Sequence, residues 1–339
     1  MRRSIFKRGD PFEPVSRGLV IRRRLISLAI LAAPVLIAFP AAAQYPNKPI
    51  HLIVPFPPGG TADLSARAVA LPLSQALNQQ IVVENRPGAD GVIAANAVLK
   101  SPPDGYTLLY ATSSAFCAVP AMRKSPPYNP LSDFTPISLI GTFEFFVYVN
   151  PTLPVKSMRE LLEYARTNPG KLSYATGNST SVFATGRLKL HEKLDMVEIP
   201  YKGDAPATTD LVAGHVQLMI GSGTAVPFVK EGKLRALVTL QPNRSAMLPD
   251  VPTSAEAGLP PLVIVPWAGL FGPAKMPKEI ADRIARETAT VLALPDVREQ
   301  LERYAFDGRA STPEALGAFL KEQVDVWGRT ARELGIVPD

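Results

Sequence analysis

The sequence predicts an α/β protein with two lobes. Short β-branched runs alternate with helical patterns along the chain, which is typical of sheets covered by helices. About 296 residues follow an N-terminal leader, enough to bury two hydrophobic cores. Two extended apolar stretches, 143–149 and 262–271, are suited to carry the chain from one lobe to the other and back. We therefore expect a discontinuous first domain, residues 44–145 plus 268–339, and a second domain of residues 146–267. The alternative is that both stretches are core strands of one larger sheet, because periodicity does not distinguish the two arrangements.

Residues 1–43 have the pattern of a signal peptide. Three arginines, Arg22-Arg23-Arg24, precede an uncharged and mostly apolar run, Leu25–Phe39, and Ala41-Ala42-Ala43 follows it. The run is shorter than the roughly 20 residues that span a bilayer, which disfavours an uncleaved anchor. We predict export to the periplasm with cleavage near Ala43, by either the Sec or the twin-arginine route.

Most of the excess positive charge lies in this leader. Eight of the 36 Lys and Arg and two of the 30 Asp and Glu fall in residues 1–24, so the chain after the leader carries 28 of each. A net charge near zero gives no support to nucleic-acid binding. Cys117 is the only cysteine, so no disulfide forms within the chain, and its apolar neighbours predict burial.

The elements follow from local patterns and predict largely parallel sheets. Strands are expected at 50–54, 80–84, 107–111, 172–175, 197–200, 216–220 and 234–240. A capping box at Ser157 begins a helix that Asn168 ends, and Pro206 fits the first turn of another helix. Pro277 and Thr312 mark the starts of two longer amphipathic helices near the C-terminus.

A rigid loop follows the first predicted strand and opens the first predicted helix. Prolines stiffen it, and its paired glycines allow close approach of a ligand to the backbone. Unpaired N–H groups at the helix N-terminus suit a carboxylate. The candidate ligand-binding residues are Pro58, Gly59, Gly60, Thr61, Ala62 and Asp63. An ordinary β-to-α connection capped by Thr61 is the alternative.

A second loop of this kind follows the predicted strand 172–175. Its hydroxyl, amide and backbone donors suit an anion, although the same residue types also cap helices. The polar turn after strand 107–111 should lie near it, since ligands of open α/β sheets bind beyond the carboxyl ends of strands. These turns add the candidates Thr112, Ser113, Ser114, Thr176, Gly177, Asn178, Ser179 and Thr180.

The chain resembles the periplasmic substrate receptors of tripartite tricarboxylate transporters, also called Bug receptors, from Tyr45 to Pro338. The matching segments are Tyr45-Pro46, Pro57-Pro58-Gly59-Gly60 with Asp63, and residues 83–89, 103–108, 133–137, 174–178, 200–203 and 248–253. The resemblance implies a two-lobed periplasmic-binding-protein (Venus flytrap) architecture with the ligand cleft between the lobes. It also implies capture of a small organic acid by the Gly59-Gly60 and Gly177-Asn178 loops, and delivery to membrane permease subunits.

The second loop departs from the family pattern. Family members usually continue with Gly-Ser after the Asn and place a His a few residues on, whereas this chain has Ser179-Thr180 and then Phe183. We expect Phe183 to add apolar surface for a ligand less polar than a tricarboxylate. Pro72 should kink or shorten the first helix. Asp63 should organise loop N–H groups or meet a ligand donor, because two carboxylates repel.

Other functions were weighed against this one. A serine hydrolase at Ser179 lacks the nucleophile elbow and a base, and the three histidines lack metal-ligand spacing. A periplasmic sensor that closes on a ligand and contacts a signalling partner has the same binding physics and stays open. We predict a monomeric solute-binding protein that is not an enzyme and that uses no cofactor, metal or nucleic acid.

Overall fold

The computed structural model describes residues 45–259 and 266–336. The predicted signal peptide and residues 262–265 of the second predicted linking stretch lie outside the described residues. None of the helices in the described ranges is long and apolar enough to cross a membrane.

The first sheet has six strands, and its outer members come from distant parts of the chain. They are β1 (Ile50–Val54), β2 (Ile81–Asn85), β3 (Thr107–Thr112), β4 (Phe134–Phe143), β10 (Trp267–Pro273) and β11 (Phe306–Gly308), in the spatial order β11-β4-β10-β3-β1-β2. Strands β2 and β3 run parallel to β1, whereas β10 is antiparallel to both β3 and β4. Strand β11 is antiparallel to β4.

The second sheet has five strands from one continuous part of the chain. They are β5 (Phe145–Val149), β6 (Ser173–Thr176), β7 (Val197–Pro200), β8 (Leu218–Ser222) and β9 (Arg235–Thr239), in the spatial order β7-β6-β8-β5-β9. Strand β6 is parallel to β7 and β8, but β5 is antiparallel to β8 and β9. Both sheets are mixed, so the expectation of largely parallel sheets was wrong. The reason is that β5 follows a strand of the first sheet and β10 follows a strand of the second, so neither is placed by a crossover from the preceding strand of its own sheet, which would impose a parallel direction.

Helices cover both sheets. They are α1 (Thr61–Leu77), α2 (Val92–Leu99), α3 (Val119–Ala121), α4 (Met158–Thr167), α5 (Ser179–Glu192), α6 (Asp204–Ala213), α7 (Val226–Lys230), α8 (Lys278–Leu292), α9 (Pro295–Glu302) and α10 (Pro313–Glu333). One π-helical turn, Ser114–Ala118, follows β3 and contains the buried Cys117, whose pKa is raised by burial.

Several predicted helix signals are confirmed. The Ser157 side chain accepts a hydrogen bond from the Glu160 N–H and caps α4. Pro206 lies in the first turn of α6, which ends at Ala213 before a left-handed Gly214. Thr312 caps α10. Helix α1 runs on through Pro72, so this proline does not shorten it.

The described residues form a two-lobed α/β fold. A single residue, Glu144, separates β4 of the first sheet from β5 of the second. The C-terminal helix α10 then contacts both lobes, because Phe319 packs against Trp267 of β10 and Trp327 packs against Phe183 of α5. The domain limits 44–145 plus 268–339 and 146–267 stay a prediction.

Candidate functional site

A cavity lies between the two sheets. It encloses about 490 Å³ of space between atoms, part of it open to solvent. Its walls come from the loops after β1, β3, β6, β7 and β8 and from the segments that link the sheets. The lining residues are Phe56, Pro57, Gly60, Thr61, Ala62, Thr112, Ser113, Ser114, Phe143, Phe145, Asn178, Thr180, Gly203, Asp204, Ala205, Ser222 and Pro266.

The loop after β1 is organised by Asp63. The side chain of Asp63 is buried and accepts a hydrogen bond of 3.0 Å from the Gly59 N–H. It also accepts hydrogen bonds of 2.9 Å from Arg67 Nε and from Asn85 Nδ2. This confirms that Asp63 organises the loop N–H groups. Gly60 precedes α1 without a side-chain cap, so the first-turn N–H groups have no intrahelical acceptor.

The loop after β6 is held by a reciprocal cap. Asn178 Oδ1 accepts the Ser181 N–H at 3.1 Å, and the Ser181 hydroxyl oxygen accepts the N–H groups of Gly177 and Asn178 at 3.1 and 3.2 Å. The capping alternative for this segment is therefore correct at Asn178. The N–H groups of Ser179 and Thr180 open the first turn of α5, where no intrahelical acceptor exists.

A third helix N-terminus, that of α6, lines the same cavity through Gly203, Asp204 and Ala205. The carboxylate of Asp204 accepts hydrogen bonds from Asn178 Nδ2 at 2.8 Å and from the Ser222 N–H at 2.9 Å. Burial raises the pKa of Asp204, and the nearby charge of Asp90 raises it further. A Cβ on Gly177 would lie 2.2 Å from Asp204 Oδ1, so only glycine fits there.

Short hydroxyl side chains join the lobes across the cavity. The Thr61 hydroxyl donates to Ser222 Oγ at 3.3 Å, and the Thr61 N–H donates to Thr224 Oγ1 at 3.3 Å. Thr180 Oγ1 lies 3.3 Å from Ser113 Oγ and 3.0 Å from Ser114 Oγ.

A further contact between the lobes is made by Ser179, whose hydroxyl donates to Asp90 Oδ2. Burial raises the pKa of Asp90, while the hydrogen bond from Ser179 and the charge of Arg123 act in the opposite direction. Asp90 lines a neighbouring cavity together with Gly177, Tyr201 and the exposed Lys202.

Not every predicted site residue lines the cavity. Those that do are Gly60, Thr61, Ala62, Thr112, Ser113, Ser114, Asn178 and Thr180, while Gly177 lines the neighbouring cavity. Pro58 and Gly59 are exposed, Asp63 and Thr176 are buried in supporting positions, and Ser179 contacts Asp90.

The expectation that Phe183 offers apolar surface to a ligand was wrong. Its side chain is fully buried and its ring packs against Trp327, outside the residues that line the cavity. The apolar wall comes instead from Phe56, Phe143 and Phe145, with Pro57 and Pro266.

Sequence reasoning also missed Asp204 and its neighbours as lining residues. The signal was present, since Lys202-Gly203-Asp204 follows β7 as the other two loops follow β1 and β6. Phe143, Phe145 and Pro266 lie in the two stretches that the sequence analysis interpreted as linking strands. Nothing in those stretches marked them as residues that line a cavity.

The histidines do not approach the cavity. His51 pairs with Glu84 and His215 with Asp210, and all three histidines are exposed. Within residues 45–259 and 266–336, no group of His, Cys, Asp and Glu is arranged to hold a metal ion. Ser179 therefore has Asp90, and not an imidazole, as its hydrogen-bond acceptor.

Comparison with known proteins gives consistent matches. The model of the tripartite tricarboxylate transporter family receptor matches residues 65–336. The periplasmic binding protein BugD is 31% identical, covers 87% of this chain and all of its own, and has a TM-score of 0.83. An R. palustris protein solved with adipate is 31% identical, with the same coverage and a TM-score of 0.84. MatC from Rhodopseudomonas palustris, solved with malate, is 30% identical over 84% of this chain and 99% of MatC, with a TM-score of 0.78.

Proposed function

Because the chain belongs to the tripartite tricarboxylate transporter receptor family, we propose that it is a periplasmic protein that captures a small carboxylate between its lobes and delivers it to membrane permease subunits. Members of this family are substrate receptors, so the chain is a binding protein and not an enzyme. We propose further that it works as a monomer, without a cofactor.

The convergence of three helix N-termini on one cavity carries the proposal. Helix α1 belongs to the first lobe, whereas α5 and α6 belong to the second. Each terminus presents first-turn N–H groups that lack an intrahelical acceptor, and roughly half a positive charge. A carboxylate can accept several of these N–H groups at once. The adipate and malate found in two relatives are ligands of this chemical class.

Capture by lobe closure follows from the same geometry. A ligand that accepts hydrogen bonds from α1 and from α5 or α6 binds both lobes and favours the closed state. The direct contacts of Thr61 with Ser222 and of Thr180 with Ser114 stabilise that state. A permease would then recognise the surface that closure creates.

Calorimetric titration of the protein purified from the periplasm tests the binding step. Matched pairs of acids and neutral amides, such as adipate with adipamide and benzoate with benzamide, isolate the contribution of the carboxylate. We expect binding of at least one acid and no binding of its amide. Equal affinity for an acid and its amide would contradict carboxylate recognition.

Uptake of a radiolabelled ligand tests delivery and separates it from the sensory alternative. Cells that lack the receptor should lose uptake of the ligand that the purified protein binds, and the wild-type gene should restore it. Normal uptake in the deletion strain, with loss of a transcriptional response to the ligand, would favour a sensor.

A further inference from the structure

We propose that the ligand is a monocarboxylate with an apolar body, and that the buried carboxylate of Asp204 excludes a second carboxylate from the cavity. This inference rests on the proposed function and adds the ligand class to it. It distinguishes this chain from the relatives solved with adipate and malate.

The charges around the cavity leave room for one anionic group. Asp204 is the only ionisable side chain among the described lining residues, and no Lys, Arg or His accompanies it there. Its oxygens accept N–H groups of Asn178 and Ser222, and these hydrogen bonds favour its charged form against the effect of burial, without a cation. Three helix N-termini, at about half a charge each, therefore face one protein carboxylate already. A second ligand carboxylate would add repulsion to that charge.

The cation that lines the neighbouring cavity does not change this balance. Lys202 is exposed and lines the neighbouring cavity, where Asp90 is also a lining residue. Asp90 is close enough to Asp204 to raise the pKa of that group. A second ligand carboxylate that extended towards Lys202 would be repelled by the carboxylates of Asp204 and Asp90.

The apolar wall specifies the rest of the ligand. Phe143 and Phe145 flank Glu144, where the chain passes between the sheets, and both rings are buried. The Phe143 ring is fixed by Phe306, whose centroid is 4.9 Å away at an interplanar angle of 73°. Phe56 adds a third ring to the lining. An aromatic or aliphatic body would bury apolar area against these rings, whereas a charged group there would lose its hydration without a partner.

Thr112 supplies an independent sign of a polar ligand group in the cavity. Thr112 is only 3% exposed and lines the cavity, and its Oγ1 has no hydrogen-bond partner among the described residues. Buried hydroxyls are nearly always paired, so this one is available to a ligand carboxylate. The cavity thus offers an unpaired hydroxyl to one carboxylate and three aromatic rings to an apolar body.

Calorimetry with ligands that differ only in the second carboxylate tests the inference. Hexanoate and adipate share a six-carbon chain, and benzoate and terephthalate share a ring. We expect the wild-type protein to bind at least one monoacid roughly tenfold or more tightly than its diacid, the effect of about 1.4 kcal/mol of repulsion. Asp204→Asn should narrow that ratio by raising the affinity for the diacid. Asp195→Asn, which removes an exposed charge from the same lobe, should leave the ratio unchanged.

The outcomes separate the two proposals. A diacid that binds as tightly as its monoacid, or a diacid affinity that depends on Lys202 in a Lys202→Gln variant, would overturn the inference and leave carboxylate capture intact. Failure of every acid to bind would overturn both. The comparison of monoacid and diacid affinities uses the wild-type protein alone, so the inference stays testable if Asp204→Asn does not fold. A Thr112→Val variant should weaken monoacid binding, and unchanged affinity would contradict the role assigned to the Thr112 hydroxyl.

Discussion

Phe183 packs edge-on against Trp327, with ring centroids 5.0 Å apart and an interplanar angle of 60°. Phe183 belongs to α5 in the second lobe, whereas Trp327 belongs to the C-terminal helix α10. The same helix reaches the first lobe through Phe319, which packs against Trp267 at 5.6 Å between centroids. Helix α10 therefore connects the hydrophobic cores of both lobes.

Trp327→Ala should lower the free energy of unfolding by about 3–5 kcal/mol, because a buried aromatic side chain is replaced by a cavity. Urea denaturation followed by circular dichroism measures this change. Leu190→Ala on α5 is the matched control, since Leu190 is 53% exposed and its loss should cost less than about 0.5 kcal/mol. Equal effects of the two substitutions would contradict the assigned packing.

The sequence could locate the loops because their chemistry is local. Gly60 and Asn178 are recognisable from the residues beside them, as helix starts that follow apolar runs. The capping of α4 by Ser157 and of α10 by Thr312 was equally visible. Such signals depend on a few neighbouring residues and on no tertiary contact.

The rest could not be predicted because it depends on distant pairing. Strand β10 enters the first sheet between β3 and β4, more than 120 residues after β4, and no local pattern specifies that register. Phe183 was misassigned for the same reason. An aromatic residue in a helix carries no sign of its partner, and here the partner is Trp327 in the last helix.

Gly60→Val should weaken carboxylate binding at least tenfold while the lobe stays folded. The Gly60 backbone is extended at φ −77° and ψ 162°, which valine adopts readily, and a Cβ would lie 3.8 Å from the Pro57 carbonyl oxygen. The branched side chain would nevertheless cover N–H groups at the start of α1. Calorimetry measures the affinity, and thermal unfolding checks the fold. Retained affinity would contradict the assigned role of this loop.

Gly177→Ala should destabilise the protein by about 1–3 kcal/mol, because the new Cβ would lie 2.2 Å from Asp204 Oδ1 and 2.7 Å from the Asp204 backbone nitrogen. The strain would also displace Asn178, which donates to the same carboxylate. Chemical denaturation gives the size of the effect. Gly60→Ala is the control, since its Cβ meets nothing closer than 3.8 Å. Similar stability of the two variants would exclude the close approach of Gly177 to Asp204.

The wild-type protein should become more stable, relative to an Asp90→Asn variant, as the pH falls. Burial holds the pKa of Asp90 in the folded protein above its usual range, so the folded state binds this proton more tightly than the unfolded chain. The contribution is fully present below the unfolded pKa of about 3.9 and is lost as the pH rises through the folded value. Asn keeps the hydrogen bond from Ser179 and tolerates the φ of 52°.

The measurement is the melting temperature of the wild type and of Asp90→Asn from about pH 3 to pH 8, a series that begins below the unfolded pKa of about 3.9. Arg123 and Ser179 oppose the rise in pKa and are unchanged in the variant, so the difference between the two curves reports Asp90 itself. We expect the melting temperature of the wild type to rise relative to that of the variant as the pH falls. Asp195→Asn changes an exposed site, so the melting temperature of this variant should follow that of the wild type at every pH. Parallel curves for the wild type and Asp90→Asn would mean that Asp90 is not desolvated at the lobe contact.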